Sequence, residues 1–383
     1  MKHTLTISVT ILFILAGCGG CKQSGNQNDE WITVDVTANY PKKELILQDF
    51  MDVEYIPLET NEEFVCQDLV LDITKNSILL RNRPGDGNIF IFDRSGKALR
   101  KINRKGQGAE EYTVYMRIII DEERGEMFVL DRPVSRILVY DLDGNFKRSL
   151  KQDYIMNFSY MYNFDEGNLI CRDYVERKGE QSFMILSKQD GSVTKEIRVP
   201  VKEQITMAIE FELDNELYNT IPNNYNPIIP YVDNRILTDQ SSDTVYACQP
   251  GHTMRPVIAR TPSVQSMNPT VFLFPSLFTG RYYFMDAVKK EDGFPATHLM
   301  YDKEKKAFAR YTVYNGDYTG KTSVNIHNLT PVINPGIAAC LSLQPADLIR
   351  DYENGKLKGR LKEIAAGLDE ESNPVIMLVK HKK

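Results

Sequence analysis

Ser77-Ile78-Leu79-Leu80-Arg81, a polar loop, and then Ile89-Phe90-Ile91-Phe92-Asp93 decide the fold. Two apolar runs of strand length each end in a charged residue, and the turn Asp93-Arg94-Ser95-Gly96 follows the second. The unit returns as Met127-Phe128-Val129-Leu130-Asp131 leading to Ile137-Leu138-Val139-Tyr140-Asp141, with Asp141-Leu142-Asp143-Gly144 as its turn. Gly or Asp in such turns supplies the positive φ that a tight hairpin needs. A supersecondary unit that recurs along a chain means a repeat architecture, in which each copy buries its apolar faces against its neighbours.

Aligning the ends of the second strands makes Arg81, Asp131, Arg172, Asp239 and Asp286 equivalent, at intervals of 50, 41, 67 and 47 residues. Each interval holds about four strands of ordinary length, the content of a propeller blade. Further hairpins are read at Gln189-Asp190-Gly191, after Thr244-Val245-Tyr246 near Gly251, and after His298-Leu299-Met300-Tyr301 through Asp302 to Lys306. The long interval contains residues 201–231, rich in Pro and Asn, which reads as an enlarged connection between blades. A sixth unit is split between the chain ends. Residues 336–343 and 375–379 supply late strands, and the alternating segment Trp31 to Val36 is expected to complete their blade and zip the ring. Between the late strands, Leu348, Ile349, Tyr352, Leu357, Leu361 and Ile364 recur near helical spacing, predicting one or two short helices. The fold class is therefore all-β, a six-bladed β-propeller closed by pairing of N- and C-terminal strands, with a short helical insertion near the C-terminus.

Residues 1–17 read as a secretory signal, with Lys2 and His3 ahead of an apolar run too short to span a bilayer stably. It ends in Leu15-Ala16-Gly17-Cys18, which resembles the bacterial lipobox, so Cys18 is expected to be the lipidated first residue of the mature protein. Residues 18–30 are Gly, Ser, Asn and Gln with scattered charge, a composition that makes a flexible tether. Residues 31–383 form the propeller domain. The formal net charge of -6 argues against nucleic acid, which requires a basic face. Cys66, Cys171, Cys248 and Cys340 show no Cys-x-x-Cys and no nearby His, and read as buried free thiols rather than a disulfide framework or a zinc site.

The stretch Ile91 to Ile102, running into Arg104-Lys105-Gly106-Gln107-Gly108 and Glu111-Tyr112, resembles the six-bladed β-propeller lipoproteins of Bacteroidetes, a largely uncharacterised family related to NHL-type and TolB-like rings. Val53-Glu54-Tyr55-Ile56-Pro57-Leu58-Glu59 and Asn373-Pro374-Val375-Ile376-Met377 match that family's opening and closing patterns. Asn103 and Ala109 depart from it, standing where Gly and Pro are usual. The resemblance implies the fold and, with the lipobox, a cell-envelope address on the outer membrane; the residues after Cys18 lack the acidic cluster associated with surface export in Bacteroidetes lipoproteins, which favours the periplasmic side over the cell surface.

In a propeller, the loops after the second strands share one face with the links between blades. Arg81, Asp131, Arg172, Asp239 and Asp286, with Arg104 adjoining, are thus candidates for a charged ligand-binding ring at the channel mouth. The competing structural role is that each Asp caps its own hairpin or a neighbouring strand, since a residue repeated by the fold usually serves the fold. No Ser-His-Asp order, His-Glu-x-x-His, Walker loop or dinucleotide fingerprint is present. No catalytic residue, cofactor or metal is therefore assigned, and His298 and His327 read as structural imidazoles. Aromatic clusters at Phe272 to Phe284 and Tyr154 to Phe164 could stack on sugars, but alternation along strands favours packing between blades. The resulting expectation is a lipid-anchored, non-catalytic ligand-binding or scaffolding module linked to glycan or nutrient uptake, with a glycan or an outer-membrane uptake complex as partner. The alternatives are a glycan hydrolase or lyase using Asp131, Asp239 or Asp286, and an envelope sensor or protein-interaction module.

Overall fold

A computed structural model describes residues 31–382 except 68, 83–85, 132, 151–157, 174–182, 215, 224, 250, 252 and 335. The signal, Cys18 and the tether lie outside the described residues. Three strands precede blade 1: β1 (Ile32–Asp35), β2 (Lys42–Ile46) and β3 (Met51–Pro57), with a single helical turn, α1 (Leu47–Phe50), between the last two. Blade 1 is β4 (Leu69–Ile73), β5 (Ser77–Arg81), β6 (Asn88–Asp93) and β7 (Ala98–Asn103). Blade 2 is β8 (Tyr115–Asp121), β9 (Glu126–Asp131), β10 (Arg136–Asp141) and β11 (Phe146–Leu150). Blade 3 is β12 (Phe158–Asn163), β13 (Asn168–Asp173), β14 (Phe183–Ser187) and β15 (Val193–Ile197). A separate hairpin, β16 (Ile209–Leu213) and β17 (Glu216–Thr220), fills the enlarged connection. Blade 4 is β18 (Ile228–Tyr231), β19 (Asn234–Leu237), β20 (Thr244–Cys248) and β21 (Met254–Thr261). Blade 5 is β22 (Val271–Phe278), β23 (Tyr282–Lys289), β24 (Ala296–Asp302) and β25 (Ala307–Tyr314). Blade 6 is β26 (Thr330–Asn334), β27 (Ile337–Leu343) and β28 (Val375–His381), completed by β3, and helices α2 (Pro345–Glu353) and α3 (Gly359–Ala365) sit between β27 and β28 as expected.

The repeat signal follows from burial. Ile78, Leu79 and Leu80 on β5, and Ile89 to Phe92 on β6, are buried on both sides of the sheet, so these strands read as unbroken apolar runs. Outer strand β7 alternates instead, because only one of its faces meets another blade. The core is a set of wedges between neighbouring blades. Leu79 and Ile91 of blade 1 meet Ile118, Val129 and Leu138 of blade 2, and Ile376 and Leu378 of blade 6 meet Ile78 and Phe90 of blade 1. Each such side chain contributes about 1.5–3 kcal/mol by leaving water. All four described cysteines are free and buried, and desolvation alone pushes the Cys66 thiol up to about 12.

Closure of the ring differs from the expected register in one respect. The strand that completes the last blade is β3, paired antiparallel with β28 from Met51 opposite His381 to Pro57 opposite Val375. Trp31 to Val36 does not do this. Its strand β1 runs parallel to β21 on the rim of blade 4, and β2 runs parallel to β25 on the rim of blade 5. Alternation identifies a half-buried strand but not its neighbour, and β1 fits a blade rim because Ile32 and Val34 are buried while Thr33 is exposed. The two segments also cover edges that would otherwise present unpaired backbone. Closure is tightened at Gly96, where φ is +89° and a Cβ would lie 2.1 Å from the Pro57 carbonyl oxygen, so the blade 1 turn can seat against β3 only without a side chain.

Candidate functional site

The two ends of the channel carry different turns. The upper end holds the loops between second and third strands and the links between blades, and the lower end holds the turns between first and second strands. At the upper end, the expected open ring of charge is not present, because most of its members are consumed by the fold. Asp131 is fully buried: Oδ1 accepts from Thr113 Oγ1 (2.7 Å), Oδ2 accepts from Thr113 N (3.2 Å), and the carboxylate pairs with Arg136 at 3.3 Å. It thereby fixes the entry into β8 of its own blade. Arg172 and Asp239 do meet, through a 2.6 Å ion pair between blades 3 and 4, and both are 2% exposed. The Arg172 guanidinium also lies 4.5 Å from the Phe183 ring centroid, and Asp239 Oδ1 accepts from Ser241 N. Arg81 is half-buried, donates to the Tyr115 carbonyl and lies over that tyrosine's ring. Arg104 is on the outer rim, where its Nε donates to the Gly144 carbonyl (2.7 Å) and it lines a recess of about 560 Å³ with Glu111 and Asn145. Asp286 is fully buried at the seam of blades 5 and 6 and faces His298 and His327.

The lower end is where charge faces open space. Two adjoining recesses of about 470 and 240 Å³ share Phe164, Asp165, Arg235 and Asn334 as walls. The larger is edged by Asp72, Asp121, Glu122, Glu123, Asp165 and Glu166 against Lys75, Lys188 and Arg235, an acidic excess. The smaller adds Asp233, Val332 and His381. The turns forming this mouth are laced from blade to blade. Glu122 of blade 2 accepts from Asn76 N (3.0 Å) and the Thr74 hydroxyl of blade 1. Asn163 of blade 3 donates to Ile120 O of blade 2 (2.9 Å), and Arg235 of blade 4 donates to Asn163 O (3.0 Å). Lys188, 2% exposed, is held 2.7 Å from both Asp121 Oδ2 and Asp165 O. Burial brings the Arg235 guanidinium down to about 10, against the opposing pull of Asp233. These contacts set the mouth as a rigid rim, which is what a binding site requires of its scaffold.

Asp72 forms the floor. It lies on inner strand β4 at a register irregularity, where Oδ1 accepts from Ile73 N (2.9 Å) and Oδ2 from Ile120 N (3.1 Å). Desolvation pushes its carboxyl up to about 6, against the pull of those two amides and of Arg117, and Glu122 adds to the rise. Beneath it, a narrow cavity of about 20 Å³ is walled by Arg117, Tyr162 and Asn163, with the Arg117 guanidinium 4.7 Å from the Tyr162 ring centroid. A carboxyl poised near neutrality and facing a recess is a recurrent mark of functional sites. Motif reasoning passed over Asp72 and Arg117. The available signal was a charge inside an apolar inner strand, in Leu69-Val70-Leu71-Asp72-Ile73 and again in Arg117-Ile118-Ile119. The aromatic cluster from Phe272 to Phe284 is packed between blades, as expected, whereas Phe164 reaches the wall of both recesses.

A family model for six-bladed beta-propellers, DUF5128, matches residues 22–330. Among solved structures, the BF0058 protein of Bacteroides fragilis, described as a candidate exported protein, is similar with a TM-score of 0.58 at 15% identity, over 92% of this chain and 100% of that one. A DUF4221 protein of Bacteroides vulgatus gives a TM-score of 0.48 at 12% identity, over 87% of this chain and 98% of that one. Comparison with curated proteins gave no match.

Proposed function

Since the chain belongs to the DUF5128 family of six-bladed β-propellers, we propose that it is a lipid-anchored cell-envelope binding module whose ligand enters the lower mouth of the channel. The ligand class is a polyhydroxylated molecule, such as a short glycan delivered to an outer-membrane uptake or processing assembly. The observation that carries this reading is the recess itself, in which the exposed part of the largely buried Phe164 ring lies beside the carboxylates of Asp72 and Asp165. Sugar hydroxyls donate to carboxylates and carbonyls while a ring face stacks on an aromatic side chain. The lipid anchor rests on Leu15-Ala16-Gly17-Cys18, and metabolic labelling with an alkyne fatty acid tests it: label lost in Cys18→Ala supports the anchor, and label retained removes it. Binding is tested by calorimetric titration of oligosaccharides. A ligand whose affinity falls at least tenfold in Asp72→Asn supports the lower mouth, and equal affinity in that variant overturns it.

Hydrolase chemistry through Asp131, Asp239 or Asp286 is disfavoured by their burial. The catalytic reading has better support at Asp72, whose carboxyl lies near the pH range in which a general acid or base works. Product release from a bound oligosaccharide, abolished in Asp72→Asn, would establish it. A protein-partner reading is favoured by the β16–β17 hairpin, where Leu217 is 78% exposed and Phe211 stacks on Tyr218 in the open.

A further inference from the structure

Two histidines far apart in sequence meet on one buried carboxylate at the upper seam between blades 5 and 6. Asp286 on β23 stands directly across the ladder from His298 on β24, and His327 arrives from the single 3-10 turn Ile326–Asn328 that leads into blade 6. His298 Nδ1 lies 2.7 Å from Asp286 Oδ1, and His327 Nδ1 lies 3.7 Å from Asp286 Oδ2. One donor atom from each of the three residues falls within 4.8 Å of the others. The imidazoles stack at 4.9 Å with an interplanar angle of 18°, so both rings address the same carboxylate from one side.

The polar atoms here are under-satisfied. Asp286 Oδ2 and His327 Nδ1 are buried without a hydrogen-bond partner, and Tyr311, whose hydroxyl pairs with that of Ser276, stands beside them with its ring centroid 5.7 Å from that of His298. Orphaned buried polar atoms are uncommon in native proteins, and two facing each other across one carboxylate–imidazole pair point to a bound species that completes them. No Lys or Arg neutralises Asp286 among the described residues; its ion-pair partners are the two imidazoles. The Asp286 side chain is 1% exposed, His327 is 12% and His298 is 37%, so the cluster has a closed base and one open side.

We propose that Asp286, His298 and His327 form a binding site for a divalent transition metal of the zinc class, with an open coordination position on the His298 side. Two imidazoles and one carboxylate suit zinc, cobalt, nickel or ferrous iron, whereas magnesium and calcium favour oxygen donors. Ligand atoms in a tetrahedron of zinc bonds stand about 3.3 Å apart, so the present separations need only side-chain adjustment. Three protein ligands with a free position is the arrangement that leaves room for a water or a substrate atom. This site is separate from the lower-mouth recess and does not depend on the reading given to it.

The test uses the full chain without a histidine tag, stripped with EDTA and titrated with Co2+ and then Zn2+. The expected result is visible d–d absorption saturating at one equivalent of Co2+ and displaced by one equivalent of Zn2+. His327→Ala and Asp286→Asn should abolish it, and His298→Gln should weaken it at least tenfold. No band with wild-type protein, or a band that persists in both His327→Ala and Asp286→Asn, overturns the proposal. Should Asp286→Asn fail to fold, the wild-type histidine 15N resonances decide. Shifts of the His298 and His327 ring nitrogens on Zn2+ addition support the site, and unchanged shifts overturn it.

Discussion

The upper and lower ends of the propeller use the same kinds of charged residue in opposite ways. At the upper end, Asp131, Arg172 and Asp239 sit at positions the repeat dictates and are buried against protein partners. At the lower end, Asp165 and Glu166 edge, and Asp72 floors, an open recess of about 470 Å³. The lesson is that charges recurring at equivalent positions, as at Asp131, Arg172 and Asp239, are mostly held by partners in the fold, whereas Asp72, a charge that interrupts an apolar strand, faces a recess. The most damaging test of this contrast is Arg172→Met. It leaves Asp239 charged, buried and unpaired, and should cost about 3–5 kcal/mol in urea unfolding, while the double variant Arg172→Met with Asp239→Leu should recover most of that loss. A single variant that unfolds like wild type would break the comparison, since Arg172 would then be free to serve a ligand.

Asp72 sharpens the contrast from the other side, because its place at the lower end is bought with stability. Its carboxyl binds a proton more tightly in the folded protein, at about 6 against an ordinary aspartate value of 3.8, chiefly because it is desolvated. The folded state therefore holds the extra proton between those two values, and stability from this group falls as pH rises through that window and is level above it. Comparison with Asp72→Asn isolates the effect from the other carboxylates. The wild-type advantage over the variant should drop by about 2.4 kcal/mol between pH 4 and pH 7, whatever constant cost the amide itself carries. A difference that is flat with pH would mean that the carboxyl is solvated, and the recess would lose its most distinctive group.

How much of this was legible depended on whether the signal was local. Blade content, the turns at Gly96 and Gly144 and the helices after Pro345 come from period, φ preference and helical spacing, all written in neighbouring residues. The partner of Ile32 to Asp35 was not, because alternation is the same whether a strand joins blade 6 or lies on the rim of blade 4. Site residues were harder still. The equivalence of Arg81, Asp131, Arg172, Asp239 and Asp286 was read as a ring of exposed charge, yet equivalence speaks of shared structure, and burial at those seams is set by residues from adjacent blades, such as Arg136 and Phe183. Asp286 and His298 are twelve residues apart and His327 lies beyond them in another blade's approach, so their meeting is a product of ring geometry.

The connection between blades 3 and 4 also departs from the buried pattern at the upper end, and it yields the smallest expected effect on folding. Strands β16 and β17 pair only with each other, and Phe211, Leu213, Leu217 and Tyr218 stay exposed. A two-stranded hairpin alone is marginally stable in water, so a sequence that keeps four large apolar groups on one is carrying surface that the propeller does not use. Ile209 and Thr220 face each other across the ladder, which allows the residues between them to be excised and the ends joined by a Gly-Gly turn. Unfolding stability should then change by no more than about 0.5 kcal/mol, the range of surface changes away from packed features. Recovery of a partner from cross-linked, detergent-solubilised membranes should fall sharply in the same variant. A large loss of stability would instead mean that the hairpin packs on the ring and that this connection is structural.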